Sequence, residues 1–434
     1  MRRTALRGGL LGVVAAVVLS STALAAITWG PRSGIPRRYS WNYGNALDAT
    51  GTPGTASFRL TDVFISDATT PQAAFASTSA DGVTWTRANR LSGSGVNAED
   101  PTIAAAGQTL IAGWMTGFSA YDPVGAPRRV QVVQSQDGGR TWSGPKALSP
   151  AAGAVDYPVV AAADTSFGTI NRYAVWIDAL TGKVIFRERS GTTAWSDPIP
   201  IGATARKVST GFSGFANVSA VGDLITVAWI ADADGTLKAR AIDLSATASA
   251  TAAADRANWG PRTTMSEPVS LAQHGYPVVS SSPWVPGVTT IAWNTATSQV
   301  YVAVQGESID PTPTTIWVDG PRAGKAYTGG YATAVEPAPG GFIAVWAACR
   351  DTSLVHDCNV RSADARVDLL SATSADGTTF TTPILIAGSG NQARRINDAP
   401  SLVATAGHVY TQYDASTSDG GAYDVFAKVA MGTP

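Results

Sequence analysis

Tryptophan recurs along this chain in two interleaved series, and no other feature limits the fold so narrowly. One series usually stands just ahead of a proline: Trp29-Gly30-Pro31, Trp85, Trp142-Ser143-Gly144-Pro145, Trp195-Ser196-Asp197-Pro198, Trp259-Gly260-Pro261 and Trp317-Val318-Asp319-Gly320-Pro321, with Phe380 before Pro383 in the seventh place. The other closes short apolar runs and consists of Phe64, Trp114, Trp176, Trp229, Trp293, Trp346 and Tyr413. The two alternate, and members of one series lie roughly 50 to 65 residues apart, a period that signals a repeat architecture. Of the 13 Trp, Trp41 and Trp284 alone stand outside both series.

Each repeat reads as four short strands. In the second, Pro101 to Ala106, Thr109 to Trp114 and Arg129 to Ser135 form the first three, and Arg140 to Trp142 opens the fourth. Dipeptides such as Gly107-Gln108, Asp234-Gly235 and Asp376-Gly377 fall between these runs, as turn residues should. Proline beyond the late Trp suits an outer edge strand, which need not donate on both sides. Composition agrees: a chain with five Glu and six Lys lacks the residues that fill exposed helical positions. The reading is all-β, a β-propeller of seven four-stranded blades. The last repeat lacks its Trp-Pro strand, and Ile27 to Pro31 is an orphan copy of one. The N-terminal strand is therefore expected to complete the C-terminal blade and close the ring. If residues 26–45 are instead a loose arm, the ring has six blades.

Before the first repeat, Arg2, Arg3 and Arg7 precede an apolar run from Leu10 to Leu19, and Ala23-Leu24-Ala25 has the form of a signal-peptidase site. Residues 1–25 read as a signal peptide cleaved near Ala25, and 26–434 as one secreted propeller domain. The run is short for a bilayer span and none follows it. Formal net charge is −1, which gives no electrostatic case for nucleic acid. Cys349 and Cys358, in an oxidising compartment, are most simply a disulfide that staples one loop. The three His, at 274, 356 and 408, do not form a zinc-ligand pattern. No metal and no cofactor is expected, and a monomer is.

Three repeats carry a sharper signature: Ser79-Ala-Asp81-Gly82-Val-Thr84-Trp85, Ser135-Gln-Asp137-Gly138-Gly139-Arg-Thr141-Trp142 and Ser374-Ala-Asp376-Gly377-Thr-Thr379-Phe380. The pattern resembles the Asp-box, or bacterial-neuraminidase repeat, of sialidase-like propellers. Its physics is structural, because the carboxylate can accept the backbone N–H groups of a tight turn while glycine supplies positive φ. The resemblance implies that Asp81, Asp137 and Asp376 lie away from the active face. It also implies what a sialidase would need: three arginines, a Tyr–Glu nucleophile pair, an acid/base Asp and a six-bladed ring. Ile35-Pro36-Arg37-Arg38 holds the residue types of the family's Arg-Ile-Pro element in another order, and no Tyr–Glu pair is assignable from sequence.

Function is expected where fourth strands lead into the next first strand, on one end of the ring. Trp41, Tyr43, Tyr157, His274, Tyr276, Tyr331, Arg394 and Arg395 fall there and are the candidate ligand contacts, since sugar sites combine flat aromatic faces with charged hydrogen-bonding groups. Glu99, Asp100, Asp156 and Asp398 are the candidate catalytic carboxylates, which a glycosidase holds about 5 to 10 Å apart. The expected function is binding of an extracellular glycan or other ligand without catalysis. A divergent sialidase-like exo-glycosidase and an extracellular protein-interaction scaffold are the alternatives.

Overall fold

The computed structural model describes residues 27–34, 45–66, 71–117, 127–151, 153–202, 215–231, 236–265, 277–294, 300–305, 309, 314–317, 333–349, 367–388, 397–405, 407–416 and 423–431. Among these residues the strands form seven four-stranded antiparallel sheets. Six follow chain order. Blade 1 comprises Asn45–Thr50, Arg59–Ser66, Ala73–Ser79 and Asn89–Arg90, and blade 2 comprises Ala98–Ala106, Thr109–Thr116, Arg129–Ser135 and Lys146–Ala147. Blades 3 to 6 begin at Val155–Asp164, Ala216–Val221, Val278–Ser281 and Thr333–Ala338. Blade 7 combines Asn397–Thr405, His408–Ser416 and Tyr423–Met431 with Thr28–Gly34, which pairs with Tyr423–Met431. The N-terminal strand is thus the outer strand of the last blade, as the orphan Trp-Pro copy implies.

The second Trp series explains how blades stack. Trp114, Trp176, Trp229, Trp293 and Trp346, with Phe64 and Tyr413, are all at most 2% exposed. Every one packs onto the preceding blade: Phe64 on Val403 and Tyr410, Trp114 on Val63 and Ile65, Trp176 on Met115 and Val130. Trp229 meets Val175 and Ile177, Trp293 meets Leu237 and Ala239, Trp346 meets Val302, and Tyr413 meets Ile343 and Val345. A large ring at the middle of each sheet buries much area against a neighbouring sheet and sets the spacing between blades. Gly202 leaves room for one of them, since a Cβ there would lie 3.1 Å from the Trp229 ring and 2.7 Å from Val184.

The first strands line the axis and are joined by side chains, because their inner edges have no further strand to pair with. Leu47 N donates to Ser401 Oγ at 3.0 Å, Val160 N to Thr102 Oγ1 at 3.2 Å and Ala105 N to Asp48 Oδ2 at 2.7 Å. The last-to-first junction is sealed further out by Gln412 Nε2, which donates to the buried Asp62. Trp29 of the closing strand donates from Nε1 to Ser371 Oγ of blade 6 at 2.9 Å.

One expectation changes in detail. The fourth strand of blade 2 is Lys146–Ala147, so Arg140 to Trp142 precedes the strand instead of opening it. The reason lies in the turn: Asp137 Oδ1 takes Thr141 N at 2.9 Å, and Trp142 Nε1 donates back to Gly139 O at 3.0 Å. The chain reaches the sheet edge only after Pro145, which has no N–H to give. Outer strands are consequently short, two to four residues in blades 1 to 6.

Removing one wedge ring tests this packing. Trp114→Ala is expected to lower unfolding free energy in urea titrations by about 3 to 5 kcal/mol. Trp114→Phe should cost much less, because Trp114 Nε1 has no hydrogen-bond partner among the described residues.

Candidate functional site

At the end of the ring where fourth strands pass into first strands, the inner strand of blades 2, 3 and 7 starts with the same irregularity. Pairing slips between Glu99 and Thr102, between Asp156 and Val159, and between Asp398 and Ser401. Each slip contains an acid-x-Pro triplet: Glu99-Asp100-Pro101, Asp156-Tyr157-Pro158 and Asp398-Ala399-Pro400. Proline cannot donate to the ladder, so the strand bulges and re-aims its neighbours. In blades 2 and 3 the middle residue has positive φ, 49° at Asp100 and 48° at Tyr157, the sole non-glycine cases among the described residues. Backbone of this kind, held just before proline, is strained and is retained where surrounding contacts enforce it.

Tyr157 shows what does the enforcing. Its ring meets Phe215 of blade 4 edge-on, with centroids 4.4 Å apart, and Phe215 is buried in the blade 4–blade 5 core. Tyr157 itself remains part-exposed at the mouth. Beside it, Asp156 forms an ion pair with Arg128, and both are buried. Arg128 N also donates to Gly153 O at 2.8 Å, which ties the blade 2 loop to the start of blade 3. A buried pair of this kind holds geometry more than it adds stability, yet losing one partner strands the other charge. Arg128→Ala is therefore expected to destabilise by about 3 to 5 kcal/mol in denaturant titration. Arg128→Met combined with Asp156→Leu should recover much of that loss.

Further down the axis lie two carboxyls that the sequence reading did not single out. Asp48 of blade 1 accepts Ala49 N at 2.6 Å and Ala105 N at 2.7 Å. It keeps some surface open at the axis but is otherwise enclosed, and burial raises its pKa to about 7 against the lowering effect of these two amides. Glu336 of blade 6 is pushed well above the usual carboxylate range, first by burial and then by the charge of Asp48, with a Ser280 hydrogen bond opposing. Two acids that repel each other in a low-dielectric site hold their protons longer. Asp48 binds at Ala105, six residues along the inner strand from Glu99, or roughly 20 Å at the rise of an extended chain. Asp48 therefore meets blade 2 deeper along the axis than Glu99. No signal short of knowing the ring would bring positions 48 and 336 together.

The direction of these shifts fixes a pH dependence. A carboxyl whose folded pKa is raised contributes stability that is complete below its unfolded value and is lost as pH rises through the folded value. The protein is expected to melt several degrees higher at pH 5 than at pH 8 by calorimetry, and Asp48→Asn should shrink that difference.

Of the expected ligand contacts, Tyr157 lies at the mouth, whereas Trp41, Tyr43, His274, Tyr276, Tyr331, Arg394 and Arg395 lie outside the described residues. Glu99 is buried, Asp100 part-exposed, and Asp398 occupies the blade 7 position equivalent to Glu99 and Asp156. Asp81, Asp137 and Asp376 sit at the opposite end, in third-to-fourth connections. There Asp81 accepts Val83 N and Thr84 N at 2.8 and 2.7 Å, and Asp376 accepts Thr378 N and Thr379 N at 2.8 and 2.9 Å. Those amide bonds hold Asp376 down at about 2. Trp85 Nε1 donates to Gly82 O at 3.2 Å, and Phe380 packs beside the Trp346 cluster. Cys349 ends the second strand of blade 6, and Cys358 lies outside the described residues. Among the described residues no three His, Cys, Asp or Glu side chains gather, and no helix is long and apolar enough to cross a membrane.

Neither a protein-family model nor a curated protein matches the sequence. Solved structures do match. The BP39L lectin of Burkholderia pseudomallei superposes with a TM-score of 0.52 at 15% identity, over 89% of this chain and 96% of the lectin. That likeness is one of fold. A protein of unknown function from Dyadobacter fermentans gives 0.48 at 11% identity, covering 94% of this chain and all of its own. A Trypanosoma rangeli sialidase in complex with sialic acid gives 0.45 at 11% identity over 93% of this chain. This chain spans 58% of that sialidase's length. Structural neighbours of the propeller thus include both a lectin and sialidases.

Proposed function

We propose that this is a secreted propeller of the Asp-box type that binds a glycan at its mouth and does not cleave it. The observation that carries the reading is Tyr157: a part-exposed aromatic, held in a strained backbone conformation at the mouth and braced by Phe215. A ring fixed in advance loses little entropy when it stacks on a sugar face. Trp41, Tyr43, His274, Tyr276 and Tyr331 would extend that surface, with Arg394 and Arg395 meeting hydroxyl or acid groups. The lectin's fold is compatible with such a role. In the same reading residues 1–25 are a leader and Cys349 pairs with Cys358.

The absence of catalysis rests on how Asp156 is used. It is buried against Arg128, so its charge is already balanced and it cannot readily serve as a proton donor. A sialidase-like exo-glycosidase has one foothold, the mutually repelling pair Asp48 and Glu336, since two carboxyls with displaced pKa values can divide acid and base roles. Both, however, lie on the inner strands of blades 1 and 6, whereas Tyr157 belongs to blade 3.

Glycan-array binding of wild type, Tyr157→Ala and Trp41→Ala tests the site. At least a tenfold loss of signal is expected for each variant, and full retention by both would remove the mouth from consideration. A fluorogenic glycoside panel that includes a sialoside should give no turnover. Turnover abolished by Asp48→Asn or Glu336→Gln would instead establish the glycosidase.

A further inference from the structure

Blade 4 departs from blades 1, 2 and 6 at the end opposite the mouth. Where blades 1, 2 and 6 make a short turn closed by Asp81, Asp137 or Asp376, the chain between Leu237–Asp243 and Thr263–Thr264 forms three successive single-turn helices, Leu244–Ala246, Ala252–Ala254 and Arg256–Asn258. This strap folds over blade 3. Leu244, Ala252 and Ala253 are buried in one cluster with Tyr173 and Phe186, and Trp259 meets Phe186 edge-on at 5.0 Å.

Beneath the strap lies a buried carboxyl that no cation balances among the described residues. Tyr173 and Glu188 stand directly opposite each other on adjacent strands of blade 3. They are 0% and 2% exposed, and among the described residues neither Tyr173 Oη nor Glu188 Oε2 has a hydrogen-bond partner. Asn171 links this pair to the strap: its Nδ2 donates to Glu188 Oε1 at 3.1 Å and to Ala250 O at 2.6 Å. We propose that residues 244–258 are a proton-controlled latch over the blade 3–blade 4 seam, closed while Glu188 is neutral and loosened when it ionises.

The surrounding charges favour this behaviour. Arg187 and Arg189 of the same strand point to the other face, where they bond Leu148 O and Gln134 Oε1 of blade 2, and Arg172 alternates to that face as well. From blade 4, Asp223 adds negative charge near Tyr173 and accepts Ser166 N. Lys238 donates to Thr264 Oγ1, while Arg240 lies among Arg256 and Arg262. Within the strap, Asp243 and Asp255 cap its first and third helices. Among the described residues no cation pairs with Glu188. Burial raises its pKa to about 7, with the Ala254 amide opposing. Once the strap lifts, water reaches the carboxyl and its ordinary pKa near 4.5 returns. Closing is thus strongest at acid pH, weakens between these two values and then levels off.

Hydrogen–deuterium exchange of the whole protein from pH 5 to 9, corrected for the intrinsic pH dependence of exchange, reads the latch directly. Opening of peptides within 244–258 is expected to rise by about five- to sevenfold per pH unit from pH 5 to 7 and to level off by pH 8. Strand Thr289–Asn294 of blade 5 serves as the control and should change far less. Glu188→Gln should abolish the rise, and Asn171→Ala should raise exchange of the strap already at pH 5. A wild-type strap with no pH response beyond the control, or a Glu188→Gln variant that keeps the response, overturns the proposal. Wild type alone decides the matter if Glu188→Gln does not fold. Glycan binding at the mouth is not involved in any of these readouts.

Discussion

The whole ring depends on one repeated contact, an aromatic side chain on the second strand of each blade pressed into the face of the blade before it. A four-stranded sheet of this size cannot bury both faces alone, so each blade is stable only between two neighbours. Because the contact always points backward along the chain, blade 1 needs something behind it. Phe64 finds Val403 and Tyr410 of blade 7, and the ring becomes a closed set of equivalent interfaces. The closing strand Thr28–Gly34 completes blade 7 by pairing the two ends of the described chain.

Polar side chains do a different job from these rings. They appear where backbone would otherwise go unpaired: Asp48, Thr102 and Ser401 at the inner edges, Asp81, Asp137 and Asp376 in the tight turns. An exposed turn carboxylate that accepts amide hydrogens stays ionised with ease, whereas a carboxyl between inner strands or between blades resists ionisation. The same residue types therefore respond to pH in opposite directions according to radial position. Asp376 and Asp48 mark the two extremes.

Much of this architecture was legible because wedge rings recur at fixed intervals. The alternation of Trp114, Trp176, Trp229, Trp293 and Trp346 with the Trp-Pro series defines the blades and favours seven, with six left open only by the question of whether the N-terminal copy closes the ring. Fourth-strand positions were not legible, since Trp142 looks like a strand residue until the Asp137 turn is seen to draw the chain away from the sheet. The site was legible only in part. Residues such as Asp100 and Tyr157 stand out at fourth-to-first strand junctions, but their shared bulge is a property of pairing register. Arg128 went unnoticed because its partner lies on the next blade. Asp48 and Glu336 were invisible for a stronger reason: they lie roughly 300 positions apart, on the inner strands of blades 1 and 6, and only the closed ring brings their charges within reach of each other.

That last point bears on how such a ring can divide its functions. The inner strands of blades 2, 3 and 7 are nine or ten residues long, so one strand can present a mouth residue at its start and an axial partner near its end. The inner strand of blade 2, from Glu99 at the mouth to Ala105 against Asp48, does both. A bulge at the strand start re-aims the mouth residue without moving the far end, because regular pairing resumes at Thr102. Mouth chemistry can then vary from blade to blade while the axial and seam contacts that hold the ring stay fixed. Blade 4 exploits the complementary freedom at the other end, where a long connection replaces a tight turn and covers the neighbouring blade without altering the strands that carry it.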